Sequence, residues 1–312
     1  MVSGTVHLGA GTWIEGVNMS QVKMSEPVIA VVGAGAVGGL LAALLDRAGV
    51  EVVAVARPET ARAIAAEGLT IHSPHFGDGV SRITAVTEIP DGANVILATK
   101  AFALPAVIGS LAQARPAEVV SLLNGIEHLA ILRDHAPGAL VAGASVAVES
   151  TRLSPTVIEH RSPFLRLTVP ANAADSGITA AWRKAGLDVT VAGTDQEVLW
   201  AKFRFLAPMA LLTSYWRLPI GAALERDAAL TTAVLTDVAR VASLDGVPTD
   251  AGQLATALAA LPASMRSSLQ NDLEAGQRSE LDAIGGALAR RGRSLGADTA
   301  AVDGLLADLT AR

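Results

Sequence analysis

The amino-acid sequence predicts an α/β domain followed by an all-α domain. Short apolar runs rich in valine alternate with helical patterns up to Thr194, and this alternation is typical of a mostly parallel sheet covered by helices on both faces. Beyond that point the strand-like runs stop, and only helical segments with polar breaks remain. We therefore expect residues 1–26 to be a loose extension, residues 27–193 the α/β domain and residues 194–312 the helical domain.

Composition and charge limit the classes of function. The chain has 312 residues, of which 51% are hydrophobic and 17% are charged, so it can bury the cores of two domains and is not disordered. The net charge is −6 and no basic tract is present, which argues against a nucleic-acid partner. No apolar run reaches the roughly 18 residues of a membrane span, and the N-terminus lacks a signal-peptide pattern. We expect a cytoplasmic protein with no membrane partner.

Residue types that bind transition metals are sparse. The chain has no cysteines, which excludes disulfides, thiolate nucleophiles and cysteine-based zinc sites. The six histidines are scattered without the spacing of metal ligands, so we expect no metal site. His128 and His135 lie in or near a predicted helix, and we expect both to be exposed to solvent.

A glycine-rich turn joins the first predicted strand, VIAVVGAG (28–35), to the first predicted helix, AVGGLLAALLDRAG (36–49). Three glycines at this junction have the spacing G-x-G-x-x-G of a dinucleotide-binding loop. The first permits a tight turn, the second lets a diphosphate approach the backbone, and the third lets helix and strand pack closely. The pattern predicts a Rossmann-type domain, and a glycine turn without a ligand is the alternative. The candidate phosphate-binding residues are Gly33, Ala34, Gly35, Ala36, Val37 and Gly38.

The end of the second strand, VEVVAVAR (50–57), indicates which cofactor is bound. Rossmann domains that bind NAD place an aspartate or glutamate here, on the ribose hydroxyls. In this chain Arg57 holds the position, and the first acid beyond it is Glu59. A guanidinium matches a 2′-phosphate in charge and in bidentate geometry, so the sequence favours NADP(H). A solvated surface arginine is the alternative.

Polar residues follow two further predicted strands. Lys100 ends the run NVILATK (94–100), and Asn124 follows the apolar part of EVVSLLNG (118–125). Because ligands of open parallel sheets bind outside the carboxyl ends of the strands, both residues are candidates for a cleft. The alternatives are that Lys100 is a solvated strand end and that Asn124 only forms a turn with Gly125.

A lysine lies within the most apolar helical segment, residues 198–214. Four apolar residues follow Lys202 on the same helix face: Phe205, Leu206, Met209 and Ala210. Burying an ammonium is costly, so a lysine in this setting suggests a function. The alternative is that Lys202 buries its stem and extends its tip to water.

Together these features resemble the ketopantoate reductase family. The motifs that carry the resemblance are GAGAVGG (33–39), Arg57, ATK ending at Lys100, LNG with Asn124, LWAK ending at Lys202, and SSLQNDLEAGQRSELDAIGG (267–286). The resemblance extends from about Val28 to the C-terminus. It implies NADPH-dependent reduction of a 2-keto acid, in a cleft between an N-terminal Rossmann domain and a helical C-terminal domain. It also implies that Arg57 and Lys100 contact the cofactor around its adenosine phosphate.

The resemblance also implies roles near the reacting carbonyl. Lys202 matches the general acid that protonates the substrate oxygen, and Asn124 matches an asparagine near the nicotinamide and the substrate. Glu280 matches the acid that touches the nicotinamide ribose, and Ser268 matches a serine that binds the substrate carboxylate region. The chemistry agrees, because hydride arriving at a carbonyl carbon builds negative charge on oxygen, which a cation or an acid must meet.

The substrate side departs from the family. Asparagines usually stand four and eight residues after the family's lysine, but Leu206 and Ala210 hold these positions, and Ile220 replaces a further amide. Pro208 lies in the same helix and should kink it. Buried polar groups without partners are costly, so a site without amides suits a small hydroxylated acid poorly. We expect Leu206 and Ala210 to line a pocket for a bulkier or more apolar carbonyl substrate, or for an imine.

Two other functions remain open from the sequence. A β-hydroxyacid dehydrogenase or an imine reductase also joins a Rossmann domain to a helical one. Membership of either class would leave the spacing of Ser268 and Glu280 unexplained. A catalytically silent NADP(H)-binding sensor would explain Leu206 and Ala210. The joint retention of Lys202, Asn124 and Glu280 argues against it. The apolar composition and the helical domain permit a homodimer without requiring one.

Overall fold

A computed structural model describes residues 6–8, 12–14 and 27–311 of the chain. Within the expected N-terminal extension, strand β1 (Val6–Leu8) pairs antiparallel with strand β2 (Thr12–Ile14). The rest of that extension lies outside the described residues, so its expected loose structure stays a prediction.

Strands and helices then follow along the chain. The remaining strands are β3 (Ile29–Val32), β4 (Val52–Val55), β5 (Leu69–His72), β6 (Gly79–Ser81), β7 (Thr84–Val86), β8 (Asn94–Leu97), β9 (Glu118–Ser121), β10 (Leu140–Gly143), β11 (Ser145–Ala147), β12 (Ser150–Arg152), β13 (Val157–His160), β14 (Arg166–Val169) and β15 (Asp188–Val191). The helices are α1 (Ala36–Arg47), α2 (Pro58–Glu67), α3 (Leu104–Ala114), α4 (His128–His135), α5 (Gly177–Lys184), α6 (Asp195–Trp216), α7 (Ile220–Arg226), α8 (Ala228–Leu244), α9 (Ala251–Ala259), α10 (Ser268–Glu274), α11 (Ala287–Ser294) and α12 (Ala300–Thr310). A π-helical turn, Asp282–Gly286, leads into α11.

Six parallel strands form the central sheet, in the order β10-β9-β8-β3-β4-β7. The predicted strands at 28–35, 50–57, 94–100 and 118–125 supply β3, β4, β8 and β9, so the predicted parallel sheet is confirmed. From β3 the chain continues to β4 on one side and later to β8 on the other. This switch of direction opens a crevice at the carboxyl ends of the strands, beside the glycine turn.

Helix α1 is buried on nearly all sides because it lies between two sheets. It packs against β3 and β4 of the central sheet and, on its other side, against β5, β12 and β13. All eight residues from 38 to 45 are buried, which explains why the helix is apolar around its whole circumference. A Cβ atom on Gly39 would lie 2.3 Å from Cδ1 of Ile158, so α1 and β13 are in close contact.

Two small sheets accompany the central one. Strands β12-β13-β5-β6 form a four-stranded sheet, and β11-β14-β15 form a three-stranded one. Their strands are three or four residues long.

Helix α6 is the central element of the helical domain. Its first turn is fixed by a capping box, in which Thr194 and Glu197 exchange side-chain and backbone hydrogen bonds. Helices α7, α8, α9, α10 and α12 all pack against α6, and the predicted helical C-terminal domain is confirmed. The helix continues through Pro208, which has no N–H to donate to the carbonyl of Arg204. No helix in the described ranges is long and apolar enough to cross a membrane.

Candidate functional site

The glycine turn is built as its spacing predicts. Gly33 has a φ of +98°, and a Cβ atom there would lie 2.8 Å from Cγ2 of Thr99. A Cβ atom on Gly38 would lie 2.1 Å from the carbonyl oxygen of Gly33, which would separate α1 from β3. At Gly35, by contrast, a Cβ atom would meet no atom within 4 Å. The fold itself therefore requires the first and third glycines, while the space beside the second is open to a ligand.

The N-terminus of α1 opens at this turn. Gly35 is the N-cap residue and offers no side-chain cap, and the first turn contains no acidic residue. The first N–H groups of a helix have no partner within the helix, and they lie at the positive end of its dipole. Such a terminus suits a phosphate group, so the residues fit the diphosphate of a dinucleotide.

Arg57 and Lys100 lie on opposite sides of the glycine turn. Arg57 is exposed at the N-cap of α2, directly after β4, and no ion pair to it occurs among the described residues. Lys100 follows β8, which borders β3 on the other side, and Asn124 follows β9, one strand further. Strands β4 and β9 are three strand spacings apart, about 14 Å, so these residues line an elongated site along the sheet edge.

Glu280 joins the two domains at this edge. Its side chain is only 3% exposed. One carboxylate oxygen accepts a hydrogen bond from the backbone N–H of Ala101 at 2.9 Å, and the other accepts one from the Asn124 amide at 2.9 Å. The structure therefore brings together Asn124 and Glu280, which are 156 positions apart in the sequence.

Lys100 belongs to the same network. Its ammonium lies 2.9 Å from Oδ2 of Asp272 and 3.5 Å from Oε2 of Glu280. Burial lowers the pKa of Lys100, but the charges and hydrogen bonds of Glu280 and Asp272 outweigh this and raise the pKa above its ordinary value. Lys100 therefore stays charged at neutral pH. Sequence reasoning missed Asp272, although it lies in the same motif as Ser268 and Glu280.

Lys202 lines a small cavity between the domains. The cavity measures about 10 Å³, about enough for one water molecule. Its walls are formed by Leu123, Asn124, Gly125, Ala144, Ser145, Leu199, Lys202, Phe203 and Leu206. Three polar side chains, Lys202, Asn124 and Ser145, thus meet among apolar ones. Ser145 was missed, although it follows β10 as Lys100 follows β8, and the same rule could have found it.

Burial changes the acidity of Lys202. Desolvation lowers the pKa of its ammonium, and the negative charge of Glu280 opposes this shift. A lysine of lowered pKa gives up its proton more readily, as a general acid near neutral pH must. The Lys202 side chain as a whole is half-buried, so its role as general acid stays a prediction.

The Asn124–Gly125 turn is held against the helical domain. Gly125 has a φ of +98°, and a Cβ atom there would lie 2.6 Å from the carbonyl oxygen of Ala283 in the π-helical turn. Glu280 lies just before that turn. Gly125 thus allows the contact between the domains that brings Asn124 to Glu280.

Two of the expected substrate-binding residues, Ser268 and Ala210, do not line the cavity. Ser268 is exposed as the first residue of α10, and Ser267 before it is buried as the helix N-cap. Leu206 is half-buried and lines the cavity, whereas Ala210 has no exposed surface and packs in the core of the helical domain. The substrate-binding roles of Ser268 and Ala210 stay predictions.

The expected solvent exposure of His128 was wrong. His128 is 5% exposed at the start of α4, and neither ring nitrogen has a hydrogen-bond partner among the described residues. Burial, helped by the nearby charge of Arg133, lowers its pKa to about 4. Because α4 packs against β10, its first turn faces the protein interior, while His135 at its other end is exposed as expected.

Comparison of the sequence with known families agrees with this architecture. Residues 29–173 match the family described as ketopantoate reductase PanE/ApbA, and residues 196–312 match its C-terminal domain. The 2-dehydropantoate 2-reductase of Halobacterium salinarum is 26% identical over 279 residues, which cover 85% of this chain and 92% of that protein. The uncharacterized oxidoreductase YkpB of Bacillus subtilis is 26% identical over 278 residues, with the same coverage.

Solved structures share the fold. A PanE/ApbA family ketopantoate reductase from Ralstonia eutropha has a TM-score of 0.82 and 30% identity, covering 91% of this chain and 97% of that one. D-mandelate dehydrogenase in a ternary structure with NADH and anilino(oxo)acetate has a TM-score of 0.80 over 91% of this chain and 97% of that one. At 19% identity, that likeness concerns the fold alone. The chain belongs to the ketopantoate reductase family of oxidoreductases.

Proposed function

We propose that this protein is an NADPH-dependent reductase that transfers hydride to the keto group of a 2-keto acid, with Lys202 as the general acid. The observation that carries the proposal is the small cavity in which Lys202, its pKa lowered by burial, meets Asn124 beside the Glu280 network. A substrate carbonyl whose oxygen entered this cavity would meet a cation there. Cytoplasmic location and a homodimer stay predictions.

The residues divide the work as follows. Bound NADPH would supply the hydride, held by the N–H groups at the start of α1 and by Arg57 at the 2′-phosphate. Lys202 would donate its proton to the oxygen on which negative charge develops. Asn124, oriented by Glu280, would hold the nicotinamide end and the substrate. Glu280 also opposes the lowering of the pKa of Lys202, which favours the protonated form that the reaction requires.

The predicted substrate is a 2-keto acid with a bulky or apolar side chain. Apolar residues dominate the cavity around Lys202, and Leu206 lines it one turn further along α6. In this cavity, helix α6 offers no amide to the hydroxyl group of ketopantoate, and the amide of Asn124 already donates to Glu280. A hydroxyl buried without a partner is costly. Branched or aromatic side chains would instead gain free energy by leaving water.

The first experiment is NADPH oxidation by the purified protein with ketopantoate, beside branched and aromatic 2-keto acids. An NADH series tests the cofactor, and added ammonia tests an imine substrate. We expect turnover of the bulkier acids with kcat/KM well above that for ketopantoate. Ordinary efficiency with ketopantoate would overturn the substrate prediction. Tight NADPH binding without turnover of any substrate would favour the sensor function.

Replacing Arg57 should relax the choice of cofactor. Arg57→Ala is expected to raise KM for NADPH about 10- to 30-fold, because a charge-assisted contact to the 2′-phosphate is lost. KM for NADH should change less than twofold, since NADH has no such phosphate. Steady-state kinetics with both cofactors check this, with Arg62→Ala on the same helix as the control. Equal effects on both cofactors would contradict the role of Arg57.

The charge of Glu280 should appear in the pH profile. The rate of reduction requires protonated Lys202, so it falls as pH rises through the lowered pKa of this lysine. Glu280→Gln keeps the size of the side chain but removes the charge that opposes the lowering. We therefore expect the alkaline limb of kcat/KM to move to lower pH in this variant. If the alkaline limb stayed in place or moved to higher pH, the charge of Glu280 would not be what sets the pKa of the proton donor.

A further inference from the structure

We infer that Arg152, the last residue of β12, binds the diphosphate of the dinucleotide from the side of the small four-stranded sheet. This inference rests on the proposed binding of a nicotinamide dinucleotide at the glycine turn. Arg57 was assigned to a different phosphate, the one on the 2′-position. The two arginines thus divide the phosphates of one cofactor between two parts of the fold.

The position of Arg152 is fixed relative to the glycine turn. Its Nη1 lies 3.5 Å from the carbonyl oxygen of Ala34, within the turn itself. Two residues earlier, the hydroxyl of Ser150 donates a 2.9 Å hydrogen bond to the carbonyl oxygen of Ala36, in the first turn of α1. Strand β12 therefore runs across the helix end that is open to a phosphate.

The sheet behind Arg152 is rigidly packed against the same helix. Arg152 is paired in register with Ile158 of β13, whose Cδ1 atom lies against Gly39 of α1. Side chains held by packed strands lose less conformational freedom on binding than side chains on free loops. The backbone that carries the guanidinium is thus held in place before any ligand arrives.

The charge of Arg152 has no counterpart in the protein. The side chain is exposed, and no carboxylate forms an ion pair with it in the described part of the chain. Its contact with Ala34 is a single long hydrogen bond to a neutral group, which leaves most of its five N–H donors available. The nearby first turn of α1 contains no acid either. A guanidinium and a helix N-terminus that lie beside the same open space form a site for a diphosphate, which carries two negative charges.

Two fragments of the cofactor separate the roles of the arginines. ADP carries the diphosphate but no 2′-phosphate, whereas adenosine 2′-monophosphate carries only the latter. Calorimetric titration should show that Arg152→Gln weakens ADP binding about tenfold. The affinity for adenosine 2′-monophosphate should stay within twofold of that of the wild-type protein. Arg57→Gln should do the reverse. Because both cofactors contain the diphosphate, Arg152→Gln should also raise KM for NADPH and NADH by the same factor.

Matched variants exclude a merely structural effect. Arg152→Lys should restore part of the ADP affinity, because the charge returns without the bidentate geometry. Arg161→Gln removes another exposed arginine next to the same small sheet, at the end of β13, and should leave both fragments unaffected. Unchanged ADP binding in Arg152→Gln, or equal weakening of both fragments, would overturn the inference. If the wild-type protein bound neither fragment nor NADPH, the proposed dinucleotide site itself would be wrong.

Discussion

Lys202→Ala should lower kcat by roughly 10²- to 10⁴-fold, the range typical of a lost general acid. NADPH binding should remain within about threefold of wild type, because the residues expected to hold the cofactor lie on the other domain, apart from Glu280. Single-turnover measurements and NADPH titration test the two statements separately. Lys184→Ala is the matched control, since Lys184 is an exposed lysine on α5 whose ammonium only donates to the carbonyl of Gly49. Retention of more than a tenth of the wild-type kcat would rule out Lys202 as the proton donor.

The fold should not depend on Lys202. Burial lowers the pKa of its ammonium, so the charged form is less stable in the folded chain than in the unfolded one. This cost is fully present below the lowered pKa and is lost as pH rises from there towards the ordinary lysine value. Lys202→Met keeps an unbranched side chain and removes the charge. At pH 7 we expect its Tm to equal or exceed that of wild type while turnover is lost, and a clearly lower Tm would assign the lysine a structural role.

The parts of the site that the sequence predicted depend on local patterns. The glycine spacing identified the turn, because each glycine answers a steric demand within a few residues, as the close approach of Gly38 to Gly33 shows. Lys100 and Asn124 were found because polar residues after buried strands lie at one edge of a parallel sheet. Lys202 was found because its charge interrupts an apolar helix face.

The parts that were missed depend on contacts between distant segments. Asp272 pairs with Lys100 across 172 residues, and no local pattern distinguishes it from Glu274, the other acid of α10. The burial of His128 depends on how α4 packs against β10, and a seven-residue spacing from His135 does not reveal it. Arg152 comes to the glycine turn on β12, a three-residue strand of the small four-stranded sheet. Its role could be inferred only after the chain was folded.

Leu206→Asn should shift the substrate preference towards ketopantoate by about 100-fold in the ratio of kcat/KM values. Leu206 is half-buried and lines the cavity one helical turn from Lys202. An amide at position 206 can form a hydrogen bond with the hydroxyl group of ketopantoate. When a substrate with an apolar side chain is bound instead, the same amide would be buried without a hydrogen-bond partner. Each effect is worth roughly 1–3 kcal/mol, and both change the ratio in the same direction. Leu206→Met keeps the volume and polarity and should leave the ratio unchanged.

The second substituted position should respond differently, because burial differs along the same helix. Ala210 has no exposed surface and packs in the core of the helical domain, so Asn there would be both too large and without hydrogen-bond partners. We expect Ala210→Asn to lower the free energy of unfolding by more than about 2 kcal/mol and to leave the substrate ratio near that of wild type. A specificity change from Ala210→Asn at unaltered Tm would mean that the pocket opens further along α6 than the cavity around Lys202. An unchanged ratio in a stable Leu206→Asn variant would mean that the chain selects its substrate elsewhere.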